Sequence, residues 1–576
     1  MKRCIPKELL QSGHAPEAPV SNAAFAPDER STHAPEFQGT LKIDALQLRT
    51  WPEMEQRLIH GRDVQLFPGL ELSFFTLGNL LLPVERGQMV HDRADRQPAS
   101  YWRVIPETGR VWRQPEDGDW SRAAFPLMLV NDTENQAHQG LAQFLYRPGR
   151  VSALAMQFVQ QSAPYLIKPC FVAWGCAQAQ LIQSGVADLD AERARAQSEL
   201  ADRLPARPWS DLKNSLPPGT LDGFGGALSP QWQVAAALVR NGTLYYQAAL
   251  TPYGAYPYPL QMRFGVRSVT KAVFAPLALL HLAKVYGPAM LSLNIGDYVP
   301  LQNGKWRRVR FIDAANMATG FGAGSTRTEP NNIYDGYLEG GYDAWYTAPS
   351  LSEKIGLINA QWHPFPWEPG TLVRYRDQDF FLLGAALDSF LKRQRGPEAD
   401  LGDMVRTEIL APIGIHQVPT VRTQEAGGVR GLICCNAGYY PTLDDLAKIA
   451  LLYQARGSHG GTQLLDYDLT ADLLSGRHAL SKSGTASATA ALADGPALAT
   501  GRYQMGLHFR RYQSVDGSQR LVPIMHGSGE NEVILYPNGL VSIVMANSSA
   551  AVPGAERRRS DDAPAAMRAI ERLQPF

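Results

Sequence analysis

Apolar and polar residues alternate with a period of two along residues 100–114, SYWRVIPETGRVWRQ, and break at Pro-Glu-Thr-Gly. This predicts two strands around a turn. The pattern returns over residues 140–159, broken at Arg147-Pro148-Gly149-Arg150. Residues 233–247 and 531–547 each hold two apolar runs that meet at an Asn-Gly step, Asn241-Gly242 and Asn538-Gly539. That dipeptide favours a two-residue hairpin turn. The period changes to a helical one at 188–204, at 444–455 and again near 565–573. The first of these helices has too few apolar positions to be more than a surface element. The longest apolar helical run opens at Gly265, GVRSVTKAVFAPLALLHLA.

These elements divide the chain. Residues 1–38 repeat short Pro-rich phrases, HAPE at His14 and again at His33, and are expected to wrap around the fold or dangle from it. Residues 39–204 predict a β-rich domain, expected as a sandwich, in which Trp102, Trp112 and Trp120 fill a core or cover a neighbour. Residues 205–230 are dense in Pro and Gly and read as a linker. Residues 231–576 place antiparallel strands early and late around a helical middle, which predicts an α+β domain whose sheet is assembled from both of its ends.

Composition narrows the classes of function. The 576 residues are 45% hydrophobic and 19% charged, enough for two or more globular domains. Lys plus Arg equals Asp plus Glu at 55 each, without a long basic stripe, so no nucleic-acid partner is expected. The first twenty residues carry basic groups but no apolar core, and no run of roughly eighteen uninterrupted apolar residues follows. The expectation is a protein without a membrane span, cytoplasmic by default, and periplasmic or secreted if a signal was removed. Five cysteines, with Cys434 and Cys435 adjacent, do not make a disulfide framework. The twelve histidines show no HxxxH spacing and the cysteines no CxxC, so neither a catalytic metal nor another cofactor is expected.

Candidate chemistry begins with Ser268 and Lys271, three positions apart at the head of the apolar run. A serine hydroxyl needs a base within hydrogen-bond reach, and residues i and i+3 share a helix face. The helix N-terminus adds N–H groups and partial positive charge beside a developing oxyanion. The same SxxK spacing recurs at Ser210 and Lys213, but inside the Pro-rich boundary with no apolar helix behind it. Two further stretches contribute. WEPGTLVRYRDQDFFLLGAAL sets Tyr375 at the end of a turn just before an apolar helix, and MHGSGENEVILYPNG sets His526 and a run of small residues at the expected start of a strand.

In this order, Ser268-Val-Thr-Lys271, Tyr375-Arg-Asp377 and His526-Gly-Ser528 resemble the SxxK, YxN and K/H-x-G elements of the serine β-lactamase-like family. That family includes class C β-lactamases, D-alanyl-D-alanine peptidases and related esterases and amidases. The connecting stretches VRFIDAANMATGFG, ILAPIGI and AGYYPTLDDLAKIALL are similar to family segments too, so the resemblance spans roughly 215–576. It implies a β-lactamase-like domain, an antiparallel sheet flanked by helices with a helical subdomain, beside the additional β-rich domain. It also implies an acylated Ser268 and a Lys271 that depresses the Tyr375 pKa so that Tyr375 moves the proton. His526 would orient Tyr375, the backbone N–H groups of Ser268 and Gly529 would form an oxyanion hole, and Asp377, Gly527 and Ser528 would face substrate.

Three departures matter. Asp377 stands for the usual Asn and cannot donate to a substrate amide. Ser528 stands for a glycine, and Pro276 falls inside the expected helix, where it should kink it. A literal Lys482-Ser483-Gly484 also exists, but no apolar strand begins there, so His526 is preferred. The expected activity is cleavage of a carboxylic ester or small amide through an acyl-enzyme. A β-lactamase, a D-amino-acid peptidase and a linear-amide oligomer hydrolase stay open, as do a binding protein on a lapsed enzyme scaffold and a homo-oligomer.

Overall fold

The computed structural model describes residues 4–51, 53, 58–91, 98–167, 172–224, 233–247, 249–323, 337, 339–481, 502–547 and 563–575. Two large sheets organise them. The first has twelve strands, ten of them running in space from Ala179–Gln183 through Gln38–Ile43, Leu70–Leu77, Leu80–Pro83, Gly109–Trp112, Ser121–Val130, His138–Arg147, Leu154–Gln160 and Val172–Ala177 to Arg49–Trp51, with Arg103–Pro106 and Arg150–Val151 paired beside that path. It is one continuous sheet, not the two facing sheets of the expected sandwich. Curling gives it an inside: the Phe74 and Phe144 rings lie 6.1 Å apart although their strands are four ladder steps apart. Laid flat, those steps would separate them by about 19 Å.

The hairpin read at 140–159 forms, with His138–Arg147 pairing Leu154–Gln160. The pair read at 100–114 does not. Arg103–Pro106 and Gly109–Trp112 lie end to end along the same long strand, Ser121–Val130. Gly109 permits this because a Cβ there would fall 1.9 Å from the Ala124 carbonyl oxygen. Trp102, Trp112 and Trp120 are all buried.

The second sheet has nine strands, in the order Ala206–Pro208, Thr243–Tyr246, Gln233–Arg240, Val541–Ala546, Asn531–Leu535, Gln519–Gly527, Leu507–Gln513, Arg502–Gln504, Leu480–Ser481. All neighbours are antiparallel except the first pair. Gln233–Arg240 lies against Val541–Ala546, so the sheet does join both ends of its stretch of chain. Both Asn-Gly hairpins form, and Asn241 and Gly242 take the positive φ values that such a turn requires. Side chains alternate between its faces: Met525 and Val533 enter the large core with the helix Phe274–Tyr286, while Ile524 and Ile534 meet Met567 and Ile570 of the last helix, Ala563–Leu573. The stretch read as a linker supplies the parallel edge strand Ala206–Pro208 and the helix Trp209–Asn214. The second SxxK sits on that helix, with Ser210 and Lys213 both exposed.

The two sheets share apolar contacts. The strands Ser121–Val130, His138–Arg147 and Leu154–Gln160 are buried on both faces. Phe125, Phe144 and Phe158 fill the inside of the curled sheet, while Ala124, Leu141, Leu145 and Ala155 join the core of the second. Arg263 bridges the seam, with Nε 2.5 Å from Glu107 and one terminal nitrogen 3.2 Å from Asp445. The N-terminal segment wraps the fold: the Asn22 amide reaches the Gly254 carbonyl at 3.1 Å, and Gln157 of the first sheet donates to Asn22 at 2.9 Å.

Among the described residues one helical stretch, Arg267–Tyr286, is long and apolar enough to cross a membrane, and 83% of it is buried inside the fold. It is two elements in succession. Arg267–Ala272 is 3-10 and Phe274–Tyr286 is α. Pro276 therefore falls in the first turn of the α-helix, where the missing N–H has no intrahelical partner anyway, and the chain changes helix type just before it, at Val273. Its ring opposes α geometry four residues back at Ala272, whose carbonyl accepts instead from the Tyr453 hydroxyl at 2.7 Å.

Candidate active site

Ser268 lies in the 3-10 turn, where residues three apart eclipse each other more closely than on an α-helix. Lys271 is thereby brought under it, with Nζ 2.8 Å from Ser268 Oγ. The ammonium also donates to the Asn436 carbonyl at 2.9 Å and lies 2.6 Å from Asp377 Oδ1. Lys271 is 1% exposed and Ser268 half-buried. Burial outweighs the Asp377 carboxylate and holds the Lys271 pKa below the usual 10.5.

Tyr375 is carried by the loop that leads into the helix Asp377–Arg395. That loop is fastened from two sides: the Arg374 N–H donates to the Met317 carbonyl at 2.8 Å, and Thr319 donates to Asp379 at 3.1 Å. Both partners belong to the stretch VRFIDAANMATGFG. The Tyr375 ring lies 4.9 Å from Lys271 Nζ, and its hydroxyl shares a hydrogen bond with Ser268. Burial and the Asp377 carboxylate raise the Tyr375 pKa above its ordinary 10, the reverse of the depression expected from Lys271. Burial is the main cause, and the Asp377 carboxylate, paired with the Lys271 ammonium, adds to it.

Asp377 is occupied on both oxygens. Oδ1 faces Lys271, and Oδ2 accepts from Tyr342 at 2.6 Å and from Tyr337 at 3.2 Å. It is 3% exposed, so its surroundings are these groups and not an open cleft.

His526 and Gly527 end the strand Gln519–Gly527 instead of starting one, and Ser528, Gly529 and Glu530 form the turn to Asn531–Leu535. Gly527 runs against the serine turn; a Cβ on it would lie 2.2 Å from the Val266 carbonyl and 3.2 Å from Ser268 N. Ser528 is exposed. Gly529 has a φ of 92°, and a Cβ there would meet Ala163 of the first sheet's loops at 2.9 Å.

The His526 ring packs on His508 at 5.6 Å, and His508 in turn lies 6.2 Å from the Tyr375 ring. His508 thus occupies the position beside Tyr375 that was expected of His526. The imidazole of His526 faces Glu532, 3.4 Å away and directly opposite on the next strand. Burial raises the Glu532 pKa, but Arg510 and His526 outweigh it and bring it down to about 2. His526, Glu530 and Glu532 offer ligand atoms within 4.8 Å of one another, the spacing of a small metal site. Arg510, 3.1 Å from Glu532, supplies that carboxylate's positive charge instead.

The residues Asn135, Arg267, Tyr342, Asn436 and His508 were not found by the sequence reading. Only His508 had a signal of its own, in the alternation that puts His508 and Arg510 on one face of Leu507–Gln513. The literal Lys482-Ser483-Gly484 lies outside the described residues, as does Cys170; Cys176, Cys434 and Cys435 are buried free thiols.

Comparison with protein-family models and with curated proteins returns no match. The similar solved structures are serine β-lactamase-like proteins. A candidate 6-aminohexanoate-dimer hydrolase from Bacillus anthracis matches at 16% identity and a TM-score of 0.44, over 64% of this chain and 86% of that one. The octameric penicillin-binding protein homologue from Pyrococcus abyssi matches at 15% identity and 0.40, over 67% and 77%. A class C β-lactamase matches at 14% identity and 0.38, over 66% and 98%. A D-stereospecific amidohydrolase from Streptomyces sp. and a family VIII carboxylesterase belong to the same set.

Proposed function

We propose that this protein is a serine hydrolase that cleaves a carboxylic ester or a small amide through an acyl-enzyme on Ser268. The observation that carries the reading is the 2.8 Å approach of a buried lysine nitrogen to the serine oxygen, with a tyrosine hydroxyl on the same oxygen. Lys271, its pKa lowered by burial, is the better proton acceptor of the two, because that of Tyr375 is raised.

In its neutral form Lys271 takes the Ser268 proton as Oγ attacks the substrate carbonyl. The C–O bond forms, the carbonyl π electrons move to oxygen, and the backbone N–H groups of Ser268 and Gly529 receive the oxyanion. On collapse the leaving group departs with a proton relayed from Lys271 through the Tyr375 hydroxyl. Water then repeats the sequence on the acyl-enzyme, with the same groups accepting and returning the proton.

Ester or small-amide cleavage is preferred to β-lactam cleavage. Asp377 has no N–H to offer a substrate amide, and its oxygens are already engaged. Intact-mass analysis after a fluorophosphonate probe tests the nucleophile: a single adduct is expected on the parent and none on Ser268→Ala. An unlabelled, folded parent overturns the reading. Lys271→Ala and Tyr375→Phe are each expected to lower ester turnover by about 10²–10⁴, and retention of most activity would remove their roles. Faster turnover of nitrocefin than of a short p-nitrophenyl ester or a D-amino-acid amide would reverse the substrate order.

A further inference from the structure

The turn that carries Ser268 is gripped by the first sheet. Arg267, immediately before it, has a φ of 52°, a left-handed conformation that a side-chain-bearing residue adopts only when its surroundings impose it. Those surroundings come from residues 131–137 and 160–163, the loops at one end of His138–Arg147 and Leu154–Gln160. Asn135 accepts from the Arg267 backbone N–H at 2.6 Å and donates to the Tyr439 carbonyl at 3.1 Å. The Arg267 side chain donates to the Ala163 carbonyl at 2.6 Å and lies 3.6 Å from the Glu134 carboxylate. Glu134 is itself held by Tyr101 at 3.2 Å and by the Leu166 N–H at 3.3 Å. Gly265 passes so close that a Cβ on it would lie 2.1 Å from the Asn135 carbonyl oxygen.

The same two loops reach the other side of the site. The Ala137 N–H donates to Ser162 Oγ at 2.8 Å and the Gln161 N–H to the Ala137 carbonyl at 3.2 Å, which ties the loops together. Ala163 at their edge stands against Gly529. One rigid unit therefore abuts both backbone segments whose N–H groups are assigned to the oxyanion.

We propose that the N-terminal sheet is a positioning element for acylation: Asn135 fixes the Val266-Arg267 peptide, one peptide ahead of the Ser268 N–H, and the Ala163 loop sets the Gly529 turn, so that the oxyanion hole is aligned from outside the hydrolase sheet. This rests on the acyl-enzyme reading above. The first sheet then acts on the chemistry and is not a separate binding module. Asn135 touches no reacting atom; it acts through the orientation of Ser268 N–H and Oγ, where a misplacement of about 1 Å lowers rate by about 10²-fold.

The test is steady-state hydrolysis of a short p-nitrophenyl ester, with the rate of fluorophosphonate adduct formation, on full-length parent, Asn135→Ala and Asn135→Asp. Asn135→Ala is expected to lower kcat and the adduct rate by about 10²-fold, with KM within about twofold because ground-state contacts are untouched. Asn135→Asp keeps an oxygen to accept from the Arg267 N–H and is expected to recover at least about tenfold of that loss. Should Asn135→Ala not fold, the Asp variant decides: an adduct rate reduced by about 10²-fold overturns the proposal. So does a folded Asn135→Ala with parental kcat, or one whose loss lies wholly in KM. A parent that forms no adduct at Ser268 overturns the acyl-enzyme reading and this inference with it, whereas an active parent beside an indifferent Asn135→Ala overturns only the inference.

Discussion

A single carboxylate governs the balance of charge at the candidate site. Asp377, where the resembling family has Asn, sits 2.6 Å from Lys271 and raises its pKa, while burial lowers it further than Asp377 raises it. If neutral Lys271 accepts the serine proton, kcat/KM rises with pH through a pKa below 10.5. Asp377→Asn removes the group that favours the ammonium, so its ascending limb is expected at lower pH than the parent's. A pH–rate profile of ester hydrolysis for both proteins checks this, and an unmoved limb would show that Lys271 does not set it. The motif spacing revealed Ser268, Lys271 and Tyr375 as a group. It did not reveal that Asp377 pairs with Lys271, because that depends on where two distant helices begin.

Among the elements, the change from 3-10 to α at Val273 positions the serine and lysine. Pro276 discourages α geometry at Ala272, and the Tyr453 hydroxyl takes over the vacated carbonyl. Tyr453→Phe leaves that carbonyl buried without its side-chain donor, and a loss of about 1–3 kcal/mol is expected. Urea denaturation measures it, and an unchanged midpoint would mean that the backbone accommodates the loss. The helix Leu443–Gln454, which carries Tyr453, was legible from its helical period over 444–455, and the structure starts it with a reciprocal cap between Thr442 and Asp445. The change of helix type just ahead of Pro276 was not read from the sequence, because periodicity marks an apolar run without distinguishing one helix from two in succession.

At the scale of the whole molecule, the seam between the sheets is held by Arg263 with Glu107 and Asp445. All three are deeply buried, so removing one carboxylate strands much of the guanidinium charge. Glu107→Gln is expected to lower stability by about 3 kcal/mol. The fluorophosphonate adduct rate should fall too if the seam also aligns Ser268, which lies five residues beyond Arg263 in the chain. Denaturant melts and adduct rates on the same samples separate the two effects; a stability loss alone would confine Arg263 to the seam.

The sequence by itself determined the local features. Asn-Gly steps set both hairpins of the second sheet, capping residues set helix starts, alternation set which strand faces are apolar, and three-residue spacing put Ser268 over Lys271. Each depends on interactions between residues close in the chain, which composition and period encode. Only the tertiary structure decided that the β-rich region is one curled sheet, that Arg103–Pro106 and Gly109–Trp112 lie end to end, and that His508 stands beside Tyr375. It also decided that Asn135 reaches the residue before the serine across 132 positions of chain. Such contacts arise from burying two surfaces against each other, and no periodicity in either segment records which partner the other will be.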